Sequence, residues 1–152
     1  MASSDYLVSS RGGLVDTLMQ LKALGTVATT MVGEFPIGTE KSFDTGGGAT
    51  KGNFITNVYA TPASILPQTK FVLKLQGSKN AAFSTINDLQ ILEIGDSTQI
   101  SGGSDLTTGK YILPFSNDLD GTVYRYLRHY LTAGGTCGTG MQYEVYLSKL
   151  AG

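Results

Sequence analysis

Residues 70–85 read KFVLKLQGSKNAAFST, and the first half of this stretch alternates. Phe71, Leu73 and Leu75 point to one side, while Lys70, Val72, Lys74 and Gln76 point to the other. That is the period of a strand with one buried face. Gly77-Ser78-Lys79-Asn80 supplies a turn, and Ala81-Ala82-Phe83-Ser84 opens a loop carrying one large apolar side chain. Working outward, the same period predicts strands over 27–34, 54–60, 89–95, 110–114, 124–132 and 141–150, with a shorter element near 97–101. Turn and loop signals separate them: Pro36-Ile37-Gly38, Gly46-Gly47-Gly48, Thr61-Pro62, Leu66-Pro67, Gly102-Gly103 and Asn117-Asp118-Leu119-Asp120-Gly121. Seven or eight short strands with few helices indicate an all-β sandwich or barrel, and an up-and-down order fits the pattern as well.

The chain has 152 residues, which suits one domain, and it shows no internal repeat and no dividing linker. A chain of this size can bury a self-sufficient core. Apolar residues make up 41% and charged residues 15%, well under the roughly 25% charge of ordinary globular proteins. Low charge and 20 glycines suit tight turns and leave much neutral surface, a liability unless part of it is covered. A net charge of −1 gives no electrostatic pull toward nucleic acid. Arg125 and Arg128 are close in sequence, and a solvated strand face explains them without a phosphate backbone. No run of 18 apolar residues and no signal peptide is recognisable, so the sequence predicts a soluble, unexported chain without a membrane partner.

Two regions depart from the simple strand pattern. Leu14, Val15, Leu18, Leu21 and Leu24 recur at helix-like spacing across LVDTLMQLKALG, with Gly25 as a stop. The spacing predicts residues 1–26 as an N-terminal arm or short helix, and residues 27–152 as the β-domain. At the other end, 124–132 and 141–148 read as a closing hairpin. Its first strand carries Tyr124, Tyr126, Arg128 and Tyr130 on one face and Arg125, Leu127, His129 and Leu131 on the other. The second strand buries Met141, Tyr143, Val145 and Leu147, and His129 reads as a hydrogen-bonded, partly buried side chain.

The residue types that could carry chemistry lack the partners their chemistry needs. One cysteine, Cys137 in a loop of small residues, excludes a disulfide framework and a multi-cysteine metal site. As a nucleophile it would need His129, the single histidine, to activate it. Gly46–Gly52 lacks the Gly-Lys-Ser/Thr order of a phosphate loop, since Lys51 precedes Gly52. Asp118 and Asp120 sit two apart before Gly121, but Ser116 and Leu127 occupy the positions where a calcium loop needs Asp and Glu, so this segment reads as a turn. Asp105, Glu93 and Glu144 complete a set of carboxylates with no local glycosidase signature. The reading is therefore of a non-enzyme with no catalytic residues, no metal site and no cofactor.

Three pieces, KFVLKLQGSKNAAFSTINDLQIL, GKYILPFSND and YRYLRHYLTAGGTCGTGMQYEVYL, together resemble the jelly-roll capsid cement (decoration) proteins of tailed bacteriophages. Asp5-Tyr6-Leu7-Val8-Ser9 is similar to that family's short N-terminal element, while His129-Tyr130 and the long stretch 14–50 depart from its pattern. The resemblance implies an all-β, jelly-roll-like antiparallel β-sandwich of about eight strands. It also implies a place in the virion on the outer capsid surface, where the protein bridges copies of the major capsid protein and stabilises the shell. Asp5, Tyr6, Leu7, Val8 and Arg11 become candidate capsid contacts. Surplus apolar residues, Leu14, Leu18, Leu21 and the tyrosine face, predict a homo-oligomer, a dimer before a trimer. A carbohydrate-binding or adhesion jelly-roll module on a virion is the alternative; the chain has no Trp, but Tyr59, Tyr111 or Tyr146 could stack on a sugar ring.

Overall fold

The computed structural model describes residues 19–61, 69–95, 108–134 and 140–149. Within them lie β1 (Gln20–Val27), β2 (Met31–Val32), β3 (Phe43–Asp44), β4 (Lys51–Ala60), β5 (Lys70–Ser78), β6 (Ile86–Gly95), β7 (Gly109–Ser116), β8 (Asp118–Leu119), β9 (Thr122–Val123), β10 (Tyr126–Gly134) and β11 (Met141–Lys149). One sheet has the order β1-β11-β4-β7 and the other β2-β10-β5-β6, with β3 also paired to β10. All pairings are antiparallel. The protein is an all-β sandwich.

Pairing is nested rather than sequential. β1 pairs β11, β2 pairs β10, β4 pairs β7, and β5 pairs β6. An up-and-down order, in which sequence neighbours pair throughout, is therefore not the one adopted. The expected hairpin of β10 with β11 is likewise corrected: the two strands belong to different sheets and face each other across the interior. Each has an apolar inner face that needs an opposing layer, and their lateral hydrogen bonds go to β2, β3 and β5 on one side and to β1 and β4 on the other. The alternation itself is as read, with Leu127, His129 and Leu131 opposing Met141, Tyr143, Val145 and Leu147, all with no exposed surface.

The helix expected to run through Leu24 is also corrected. Residues Gln20–Val27 form an edge strand on β11, and Leu14, Val15 and Leu18 lie outside the described residues. Register shifts between Gln20 and Lys22 and between Lys22 and Gly25 insert extra residues into β1. Each such bulge breaks the two-residue alternation, so apolar residues recur three apart without a helix. Leu21 is fully buried while Leu24 is 44% exposed, and the sandwich begins by Gln20 rather than at residue 27.

The core is one cluster containing Leu21, Phe54, Phe71, Leu73, Leu75, Ile94, Leu127, Leu131, Tyr143 and Leu147 among others. Each large apolar side chain contributes roughly 1.5–3 kcal/mol on burial. One flank is closed by the segment after β2. Gly33 N–H donates to the His129 carbonyl at 2.8 Å, and Ala23 N–H donates to the Glu34 carbonyl at 2.7 Å, so this segment is bonded to both sheets. A Cβ at Gly33 would stand 2.4 Å from the Leu21 carbonyl oxygen, so only glycine permits the approach. On the other flank Gln90 Nε2 donates to the Pro114 carbonyl at 2.7 Å.

At one end, the buried Asn117 joins three segments. Its amide donates to the carbonyls of Gly48 and Tyr124, both at 3.1 Å, and its Oδ1 accepts from Thr50 N–H at 2.6 Å. Asn117→Ala would leave the buried Tyr124 carbonyl unpaired at about 1–3 kcal/mol and remove the partly exposed bonds to Gly48 and Thr50 as well. We expect a loss of roughly 3 kcal/mol, read as a melting temperature lower by about 6–12 °C. Conversely, the buried Thr56 Oγ1 has no hydrogen-bond partner among the described residues. Thr56→Val should raise stability by about 1 kcal/mol in denaturant unfolding, since it removes an unpaired hydroxyl at nearly constant volume.

Candidate interaction surface

The interior holds a buried polar network. His129 Nδ1 lies 3.0 Å from the Lys74 carbonyl, which can only accept, so Nδ1 carries the proton. Nε2 then accepts from the Tyr143 hydroxyl at 2.8 Å. Behind the Tyr143 ring, the bulges of β1 turn Lys22 inward, with Nζ 4.1 Å from the ring centroid. Nζ donates to the carbonyls of Ala23 at 2.8 Å, Tyr143 at 2.9 Å and Gly25 at 3.3 Å. Burial lowers Lys22 to about 8, opposed by the charges of Glu144 and Glu34. Burial lowers His129 to about 3, opposed by the Lys74 carbonyl and assisted by the Lys22 charge. Burial likewise holds Tyr143 well above its ordinary value. Both ring nitrogens of His129 are occupied inside the core, and Cys137 lies outside the described residues. This network ties sheets together and presents no nucleophile.

The outward face of the five-stranded sheet is the more informative surface. Its side chains stand in cross-strand rows: Thr132, Val72, Glu93; then Tyr130, Lys74, Ile91; then Arg128, Gln76, Asp88. Lys74 pairs with Asp88 and Lys70 with Glu93, each at 3.4 Å, and Ile91 is 46% exposed. Such half-exposed pairs contribute little stability; they hold long side chains in fixed positions.

Arg128 is the best-held group on this face. Its guanidinium carbon lies 4.4 Å from the Phe83 ring centroid and 5.7 Å from that of Tyr130. Its Nε donates to Gln76 Oε1 at 3.0 Å, and the Gln76 amide donates to Asp88 at 3.4 Å. Beside it a groove of about 320 Å³ is lined by Val32, Glu40, Lys41, Ser42, Ala81, Ala82, Phe83 and Arg128. Nothing local in the sequence joins residues 40–42, 81–83 and 128, so this groove was not anticipated; the partial signal was the single aromatic in the loop after β5 and an arginine between two tyrosines of β10.

Other sequence candidates separate. Asp5, Tyr6, Leu7, Val8 and Arg11 lie outside the described residues. Arg125 does not join Arg128 but makes a two-pronged contact to Asp44 at 2.7 and 3.0 Å. Asp120 and Gly121 both have positive φ, at 51° and 80°, and form the two-residue turn between β8 and β9. Of the three tyrosines considered for stacking, Tyr59 is 53% exposed, Tyr111 half-buried and Tyr146 buried. Tyr59 donates to Glu144 at 2.7 Å, which pushes its hydroxyl up to about 12, and Asn57 donates to the same carboxylate oxygen at 3.1 Å. Among the described residues no group of three or more His, Cys, Asp or Glu is placed to hold a metal ion, and no helix is long and apolar enough to cross a membrane. No protein-family model matches the chain, and no curated protein matches it in sequence.

His129 gives a pH signature. Its folded value of about 3 lies below the ordinary 6.5, so between these limits the unfolded chain binds a proton that the native chain excludes. The contribution is fully present above pH 6.5, is lost as pH falls toward 3, and amounts there to on the order of 5 kcal/mol. His129→Gln keeps a donor and an acceptor but cannot titrate. The difference in unfolding free energy between wild type and variant should therefore shrink steadily across that window; a constant difference would contradict a neutral buried imidazole.

Proposed function

We propose that this is a structural, surface-binding protein, a cement or decoration protein on the outer surface of a phage capsid that bridges major capsid proteins and stabilises the shell. The observation that carries the reading is the broad outer face of the five-stranded sheet, where Val72, Tyr130 and Ile91 stand among polar side chains and internally paired charges in three cross-strand rows. The nested pairing of eight strands in two sheets supports a jelly roll, the architecture that the sequence resemblance implies. Low overall charge suits a protein that spends its working life with part of its surface covered. Exposed Ile86, Ile91 and Ile112 flank the β6 and β7 edges and favour a homo-oligomer, a dimer before a trimer. An oligomer touching several subunits gains through effective concentration, and binding only the assembled lattice stabilises it by mass action. In this role Asp5, Tyr6, Leu7, Val8 and Arg11 are the residues proposed to contact a neighbouring capsid subunit.

A second reading, a carbohydrate-binding or adhesion module on a virion, is favoured by one observation. The exposed Tyr59 ring stands beside Glu144 and Asn57, an aromatic platform next to polar groups. Co-sedimentation with assembled shells and with free shell subunits decides between them. Cement binding should appear on assembled shells, raise their disruption temperature, and fall by about tenfold or more when residues 2–13 are deleted, since losing Tyr6 and Leu7 removes two side chains worth roughly 1.5–3 kcal/mol each. Equal binding to free subunits, or an unchanged shell, would overturn it; glycan binding abolished by Tyr59→Ala would establish the alternative.

A further inference from the structure

We propose that the groove beside Arg128 is a recognition site for a carboxylate, and that its occupant is an acidic side chain on the protein surface to which this chain docks; the identity of that surface rests on the binding role proposed above. Four observations converge on it. First, Arg128 is fixed on three sides, by the Phe83 and Tyr130 rings and by Gln76, itself only 7% exposed. Second, with Nε committed to Gln76, neither Nη nitrogen has a hydrogen-bond partner among the described residues. A planar fork of unused N–H donors matches a carboxylate, and its fixed orientation lowers the ordering cost of binding.

Third, the loop that supplies Phe83 is strained where it does so. Phe83 has φ of 53°, a region that bulky residues rarely adopt and that tends to mark ligand sites. Asn80 braces the loop: its carbonyl accepts from Phe83 N–H at 3.1 Å, its Oδ1 accepts from Ser84 N–H at 3.2 Å, and its amide donates to Ser84 Oγ at 2.6 Å. The strain places an aromatic ring beneath a guanidinium, which a loop needed only for chain reversal does not require. Fourth, the groove's own composition selects the ligand. Lys41 adds a second positive charge, while Ala81, Ala82 and Val32 offer an apolar wall for an aliphatic stem.

The same residues disfavour other ligands. Glu40 lines the groove and opposes a doubly charged phosphate. The ring face of Phe83 that would stack on a sugar is already covered by Arg128. A volume of about 320 Å³ is at the low end of ligand pockets and suits one side chain rather than an extended chain.

The test uses the full chain and does not need a capsid. Titration with N-acetylglutamate N-methylamide, followed by NMR, should shift the Arg128 Nε–H and Phe83 ring signals saturably. The glutamine analogue should not. Arg128→Lys, which keeps the charge but loses the fork and the stacking, should weaken binding about tenfold. Glu40→Gln should tighten it by roughly two- to fivefold, an effect that a purely structural Arg128 would not produce. No carboxylate response, an equal response to the amide analogue, or a stronger response to inorganic phosphate would overturn the site. On assembled shells, Arg128→Lys should reduce co-sedimentation with little change in melting temperature; unreduced co-sedimentation beside a positive titration would overturn the docked occupant while leaving the carboxylate site and the cement role standing.

Discussion

Among the described residues, a hydrogen bond crosses the interior from sheet to sheet, from the Tyr143 hydroxyl on β11 to Nε2 of His129 on β10. The rest of the core is dominated by apolar side chains, whose attraction is non-directional and tolerates small slips. A hydrogen bond between two fully buried partners does not tolerate them, because a displaced partner leaves a desolvated donor or acceptor behind. Slipping either strand by one residue would turn His129 or Tyr143 to the outside. The Nδ1 proton of His129, held by the Lys74 carbonyl, extends the same constraint to β5. Lys22 then fixes β1, since its ammonium reaches the carbonyls of Tyr143 and Gly25 only because β1 is bulged. Three acceptors and an aromatic face compensate the burial of that charge, which a carboxylate in the core would do only at a desolvation cost of its own.

This dependence explains what was legible beforehand. The strand period places Phe71, Leu73 and Leu75 of β5 on the inner face, as the structure does, because β5 itself carries no extra residue and alternates through Leu75; the register shift there adds its residue to β6. The inner face of β11 was readable for the same reason. β1 was not, because its bulges, the feature that admits Lys22, imitate helical spacing in the sequence. The partner of β10 was misassigned on different grounds. A Gly/Thr-rich segment between two strands signals a hairpin locally, whereas the choice between pairing side by side and stacking face to face depends on which strands already occupy the lateral positions. Those are β2, β3 and β5 beside β10 and β1 and β4 beside β11, all far upstream, the nearest (β5) ending at Ser78, 48 residues before Tyr126 (126 − 78). The groove at Arg128 was illegible by the same token, being assembled from three distant stretches.

In β10, core packing and the proposed carboxylate site share one element. Its odd-numbered residues Leu127, His129 and Leu131 are locked into the core with no exposed surface. Its even-numbered residues Tyr126, Arg128 and Tyr130 are therefore held rigidly on the outer face by the same backbone. A site on a strand fixed from behind is more precise than one carried by a free loop. The arrangement also decouples the two tasks, because successive side chains point to opposite sides and a change on the outer face leaves the core untouched. Phe83 is the exception that tests this division. Although it comes from a loop, it is 8% exposed, and it takes up a strained backbone to place its ring under an arginine of β10. The one positive-φ non-glycine residue of that loop is thus placed at the outer face rather than in the interior between the sheets.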